Sequence, residues 1–184
     1  LRLLAFALWV TNKGIVYDPI LKFLRQNDMD VFELFNRIQK NLEFAPSSIK
    51  EIFKEFEDAT INELWDSLEE IIENFQDDDQ YQKLISEHIG FNVIQFHQAL
   101  VTTNHMPEWT EYIIKLAKTL LDENNIPQEK YLEQFNDISN YCRGLTSNTL
   151  QLNSDLPNPE FSFNYDVEKW VLDSTNQTID KFAF

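Results

Sequence analysis

The sequence predicts an all-α fold: an antiparallel multi-helix bundle of about seven or eight helices, followed by an irregular C-terminal extension carrying one short strand. Three observations carry this. Through the first 144 residues apolar side chains recur at the i, i+3, i+4, i+7 spacing of a buried helical stripe. Ser, Thr, Asp and Pro stand at the starts of these stripes, where helices are capped. The 184 residues are 43% apolar and 14% aromatic with only three glycines, enough to build one core and far too apolar for a disordered acidic chain.

Leu1 to Val10 is apolar apart from Arg2. It is too short to cross a bilayer, which takes about 20 residues, and Thr11-Asn12-Lys13-Gly14 offers no small-x-small cleavage site. It reads as a core helix ended by Gly14. Because the chain opens inside an apolar helical pattern without Met or an N-cap, it reads as a piece of a longer polypeptide.

Asp18-Pro19 opens a short helix through about Arg25, and Asn27 to Asp30 starts a second with Val31, Leu34, Phe35, Ile38 and Leu42 on one stripe. Ser48 with Glu51 forms a capping box before Ile49, Ile52, Phe53 and Phe56. Thr60 with Glu63 repeats the device ahead of Ile61, Leu64, Trp65, Leu68, Ile71, Ile72 and Phe75, the clearest amphipathic stripe in the chain and one read as core. Asp77-Asp78-Asp79 favours the N-terminus of a further helix through Tyr81, Leu84, Ile85 and His88, bending or pausing at Gly90 and continuing to Val101. Pro107 starts a helix with Trp109, Tyr112, Ile113, Leu116 and Leu120 inward. Pro127 starts another with Tyr131, Phe135, Ile138 and Cys142 inward, capped by Gly144.

This gives a helical domain over 1–144 and a loop-rich extension over 145–184 that packs on it or on a neighbouring domain. Thr146 to Pro159 reads as a long loop, Glu160 to Asp166 alternates polar and aromatic residues like a half-buried strand, and Asp166 caps a last turn bearing Val167 and Trp170.

The 31 acidic against 15 basic residues leave a net charge of −16, which argues against nucleic acid and against anionic membranes as partners. A lone Cys cannot form an internal disulfide or supply a Cys-rich metal site, and it points to a cytoplasmic setting. His88 and His97, nine residues apart, fall on opposite faces of one helix, and no Glu precedes any His by three. Asp77 to Asp79 lacks the Gly and final Glu of a calcium loop. No Gly-rich phosphate loop, Gly-x-Ser-x-Gly or Cys-x-x-Cys is present. Cys142 reads as a small buried hydrophobe, the reactive alternative being a thiol activated by Arg143. No catalytic, cofactor-binding or metal residue is assigned.

Two segments, Leu4-Ala5-Phe6-Ala7-Leu8-Trp9-Val10-Thr11-Asn12-Lys13-Gly14 and Phe161-Ser162-Phe163-Asn164-Tyr165-Asp166-Val167-Glu168-Lys169-Trp170, resemble the helical C-terminal region that follows the catalytic barrel of cobalamin-binding radical SAM proteins. There an apolar helix leads into a bundle and a Phe-x-Tyr-Asp segment closes the chain. The resemblance implies an iron–sulfur cluster, S-adenosylmethionine and cobalamin in domains upstream. The family's Cys-x-x-x-Cys-x-x-Cys motif has no counterpart here, since Cys142 stands alone, and no cobalamin-ligand motif is visible.

The expected function is therefore a non-catalytic helical accessory domain of a larger enzyme, acting in domain docking or in closure of the substrate side. Its partners are other domains of a longer parent chain or a separate protein. The aromatic residues at the two ends supply a candidate docking surface of Leu3, Phe6, Trp9, Phe161, Phe163, Tyr165 and Trp170. The alternative from a different class is a free-standing acidic helical module that binds a basic protein or peptide. A third, a site inside the bundle, has His97, Cys142 and the Tyr residues to build on.

Overall fold

The computed structural model describes residues 1–12, 15–86, 92–124, 126–147 and 159–184. Among them lie ten α-helices: α1 (Arg2–Thr11), α2 (Asp18–Gln26), α3 (Val31–Lys40), α4 (Ser47–Asn62), α5 (Leu68–Phe75), α6 (Asp78–Ile85), α7 (Val93–Asn104), α8 (Met106–Glu123), α9 (Gln128–Thr146) and α10 (Val167–Leu172). Single 3-10 turns occupy Leu42–Phe44 and Ile179–Phe182. The fold is all-helical.

Four differences from the expected layout have local causes. The expected helix from Thr60 to Phe75 is two elements. Thr60 sits within α4, and the box that caps a helix is Ser67 with Glu70: Ser67 Oγ accepts the Glu70 N–H at 3.1 Å, while Glu70 Oε2 accepts the Asp66 N–H at 2.9 Å. The run from Tyr81 to Val101 is also two helices, the second capped by Asn92, whose Oδ1 accepts the Gln95 N–H at 3.0 Å. With α10 added, the seven or eight expected helices become ten.

The expected strand over 160–166 is not formed. Among the described residues the extension makes one isolated antiparallel bridge, Tyr165 with Ala183, closed by Asp166 N–H to the Phe182 carbonyl and Phe184 N–H to the Asn164 carbonyl. The period-two burial survives, with Phe161, Phe163 and Tyr165 half-buried and Ser162 and Asn164 exposed. What is lacking is a neighbouring strand long enough to continue the ladder.

Gly144 is likewise not a cap. It lies inside α9, which runs on to Thr146, and a Cβ built there would touch the Phe161 ring at 3.9 Å. Gly14, His88, Gly90 and the interior of the loop expected from Thr146 to Pro159 lie outside the described residues.

The centre of the fold is α8, because its sequence buries on nearly every side. Trp109, Tyr112, Ile113, Leu116, Ala117 and Leu120 are all buried, and the exposed positions are reduced to Pro107, Glu111, Lys115, Asp122 and Glu123. Helices α2, α3, α4, α7 and α9 pack around it, and α1 packs on α3, α4 and α7. An aromatic cluster joins three of these elements, α1, α4 and α8: Phe6 stacks on Phe56 at 4.6 Å and meets Phe53 edge-on at 5.1 Å, and Phe53 stacks on Trp109 at 6.0 Å. Each such pair adds about 0.5–1.5 kcal/mol beyond its buried area.

Several buried polar groups are tied to partners, as a low-dielectric interior favours, while Thr11 Oγ1 and Trp109 Nε1 make no hydrogen bond among the described residues. Tyr17 Oη and Thr110 Oγ1 are 2.8 Å apart, Thr110 Oγ1 donates to Thr146 Oγ1 at 3.1 Å, and Tyr112 Oη donates to the Ile38 carbonyl at 3.0 Å. The extension packs on α2 and α9 through α10. Lys22 pins it, donating to the Trp170 and Asp173 carbonyls at 2.5 and 3.0 Å with its ammonium 5.1 Å from the Trp170 ring centre.

Candidate functional site

Among the described residues, Cys142, Arg143 and His97 are engaged in structure. Cys142 is fully buried, its thiol donating to the Val16 carbonyl at 3.1 Å. Burial pushes its pKa up, and this outweighs the opposing pull of Arg143. Arg143 is itself held in a fork by Glu111, at 2.5 and 2.9 Å. His97, buried against Phe6, Phe56 and Phe96, donates Nδ1–H to the Val93 carbonyl at 2.8 Å. His105 Nδ1 lies 3.9 Å from Glu108. Among the described residues no group of three or more His, Cys, Asp or Glu could hold a metal ion, and no helix is long and apolar enough to cross a membrane.

The structure does not bring the expected docking residues onto one face. Phe6 and Trp170 are fully buried, Phe6 in the aromatic cluster and Trp170 against Phe23 with its indole N–H donating to the Gln177 carbonyl at 3.0 Å. Leu3, Phe161, Phe163 and Tyr165 are half-buried, and Trp9 is exposed beside a shallow cleft with Leu8, Asn12 and Gln98. The buried pair serves the core because α4, α7 and α8 cover Phe6, and α2 with α9 covers Trp170.

The apolar surface that remains open lies elsewhere. Helices α5 and α6 pair with one another and contain no buried residue. The stripe read as core splits in two: Ile71 and Phe75 turn partly inward, while Leu68 and Ile72 face water at 65% and 49% exposure. Leu64, Trp65, Tyr81, Leu84 and Ile85 are exposed around them. Seven large apolar side chains are thus exposed within residues 64–85, a density unlike the isolated exposed residues of an ordinary surface.

Behind this hairpin a cleft of about 660 Å³ opens between Arg2, the end of α4 at Ala59 and Glu63, Trp65, Phe75, Leu84 and Val93. Arg2 and Glu63 form an ion pair at 3.0 Å on its wall, and the Trp65 and Phe75 rings tilt against each other at 6.0 Å.

Charge collects in the same place. Between residues 57 and 86 stand Glu57, Asp58, Glu63, Asp66, Glu69, Glu70, Glu73, Asp77, Asp78 and Asp79 against Lys83 alone. That is −9 of the chain's −16. An apolar stripe rimmed by carboxylates repels anionic surfaces and attracts cationic ones.

Comparison with known proteins finds no matching family model, no matching curated protein and no matching solved structure. The hairpin is therefore judged on its own geometry.

Sequence reasoning located its stripe but not its exposure. Two signals pointed to it: the Ser67-x-x-Glu70 box, which ends one helix and starts another, and the density of carboxylates on both sides of the apolar positions.

Proposed function

We propose that this chain is a non-catalytic, cytoplasmic helical docking module that holds a partner protein on its α5–α6 hairpin. One observation carries the reading: a domain that buries Trp109, Tyr112 and Phe56 completely leaves Leu68, Ile72, Tyr81 and Ile85 open on two adjoining helices, with Leu64 open in the connection that leads into them. Uncovered leucine and isoleucine at this density favour association, because each removed from water yields about 1.5–3 kcal/mol. The engagement of Cys142 and His97 in the buried core, and of Arg143 in a surface ion pair with Glu111, supports the non-catalytic part.

The accessory-domain reading, with iron–sulfur, S-adenosylmethionine and cobalamin chemistry in a radical SAM parent, is supported by the two resembling segments and by exposed Trp9. The same hairpin would then face a neighbouring domain of that parent.

A photo-crosslinking residue placed at Leu68, with one at Lys40 in α3 as control, tests the docking reading in native cells. A discrete adduct from position 68 alone is expected, and its partner, once identified and purified, binds the native chain but not Leu68→Asp/Ile72→Asp. Equal labelling from both positions, or a purified partner indifferent to the double variant, would remove the proposal.

A further inference from the structure

We infer that the partner segment docked by the hairpin is a basic amphipathic α-helix. This rests on the docking reading above and names the chemistry of its occupant. The hairpin combines an apolar stripe with a one-sign charged rim. Ten carboxylates against one lysine in residues 57–86 exclude an acidic partner and favour a segment carrying Lys or Arg on both flanks of an apolar face.

Geometry favours a helix over an extended peptide. Leu68 and Ile72 are one turn apart on α5, about 6 Å along its axis, which is the spacing at which the ridges of a second helix interlock. Eight residues in each of α5 and α6 give a platform about 12 Å long, matching two turns of a partner presenting apolar residues at i, i+4 and i+7. An extended peptide would need an open sheet edge to bond its backbone, and the structure has no sheet among the described residues.

The test uses the whole 184-residue chain and three fluorescein-labelled synthetic peptides, read by anisotropy. The first contains Leu at helical spacing and Lys elsewhere, the second has the same composition scrambled, and the third has Glu in place of Lys. The Leu/Lys helix is expected to bind, with the scrambled peptide about tenfold weaker or more and the Leu/Glu helix not binding. Raising salt from low to high should weaken binding by about tenfold, since exposed charges are screened. Leu68→Ser/Ile72→Ser should abolish it, and Glu69→Lys/Glu73→Lys should weaken it while circular dichroism stays native.

Equal binding of ordered and scrambled peptides, or full binding by the Leu68→Ser/Ile72→Ser variant, would overturn the inference in favour of non-specific charge attraction. It also falls if sedimentation shows a native dimer dispersed by that variant, making a second copy the occupant. Retention on phosphatidylcholine–phosphatidylserine vesicles, lost in the variant, would replace the helix with a membrane. If the cross-linked partner, once purified, binds the native chain but not Leu68→Asp/Ile72→Asp while no Leu/Lys helix binds, docking stands and this inference fails; if that partner binds both chains alike, docking itself fails.

Discussion

The carboxylate of Asp137, buried on α9, accepts the backbone N–H of Tyr165 at 2.9 Å and that of Asn164 at 2.5 Å. One side chain thus satisfies two consecutive amides of the extension and seats the Phe163–Tyr165 segment on the helical body. Hydrogen bonds to a charged group contribute about 1.5–3 kcal/mol, and removing the acceptor leaves the donors without a partner. Asp137→Ala is expected to lower stability by about 2–4 kcal/mol in urea unfolding and to make residues 159–166 more susceptible to protease. Unchanged stability with unchanged cleavage would mean that packing alone holds the extension.

Gly144 is a place where the protein can be made more stable. It is exposed within α9, and an added methyl group finds the Phe161 ring at an ordinary contact distance of 3.9 Å. Glycine inside a helix costs roughly 0.5–1 kcal/mol relative to alanine. Gly144→Ala should therefore raise the urea midpoint by a corresponding amount at constant m-value; a decrease would show that the close approach of Phe161 needs a bare backbone.

Three tyrosines set the alkaline limit. Burial raises the pKa of Tyr17 and Tyr112, and burial together with the hydrogen bond to Asp122 raises Tyr131 to about 12. The folded state holds these protons above the ordinary phenol value of about 10. Their contribution is then fully present below pH ~10 and is lost as pH rises through the folded values. Thermal midpoints should hold up to about pH 10 and fall between there and pH 12, with phenolate absorbance appearing together with unfolding. Tyr131→Phe should soften that fall; titration of all six tyrosines near pH 10 in a folded chain would contradict the assignment.

Cys142 should be inert while the chain is folded. Its thiol is fully buried, bonded to Val16, and pushed away from the thiolate by desolvation. Reaction with a disulfide reagent is expected to follow the rate of unfolding and to become independent of reagent concentration at saturation. Rapid modification of the native protein would revive the reactive reading of Cys142 beside Arg143.

Much of the helical body was legible because periodicity reports burial directly when another element lies opposite. Leu34, Phe35 and Ile38, and Trp109, Tyr112, Ile113, Leu116 and Leu120, were read as inward and are buried. The Leu68–Phe75 stripe has equally clear periodicity and is not. A helical pattern states which residues share a face, and it carries no information on whether a partner element covers that face. Phe6, read both as part of a core helix and as a docking residue, is core, and Trp170, read as a docking residue near the chain end, is enclosed as well: long-range packing with Phe53, Phe56 and Phe23 covers them. The Phe161–Tyr165 alternation was legible as extended backbone, but a strand also needs a neighbour, and only Ala183 is in place.

The exposed stripe separates a role in binding from a role in stability, and the two predict different numbers for the same kind of substitution. Phe53 is 2% exposed among aromatic neighbours, so Phe53→Ala should cost about 3–5 kcal/mol through lost contacts and a residual cavity. Leu68 and Ile72 are 65% and 49% exposed and have little covered surface to lose, so Leu68→Ser/Ile72→Ser should change the urea-unfolding free energy by only about 0.5 kcal/mol per site. A helical end contributes more than either: Ser67→Ala removes the cap of α5 and should cost about 1 kcal/mol, read as faster amide exchange confined to residues 68–75. If the double Ser variant instead destabilised the whole chain as Phe53→Ala does, the hairpin would be part of the core and the docking reading would lose its basis. A double variant as stable as the native chain, and unable to hold its partner, is the outcome that assigns these residues to binding.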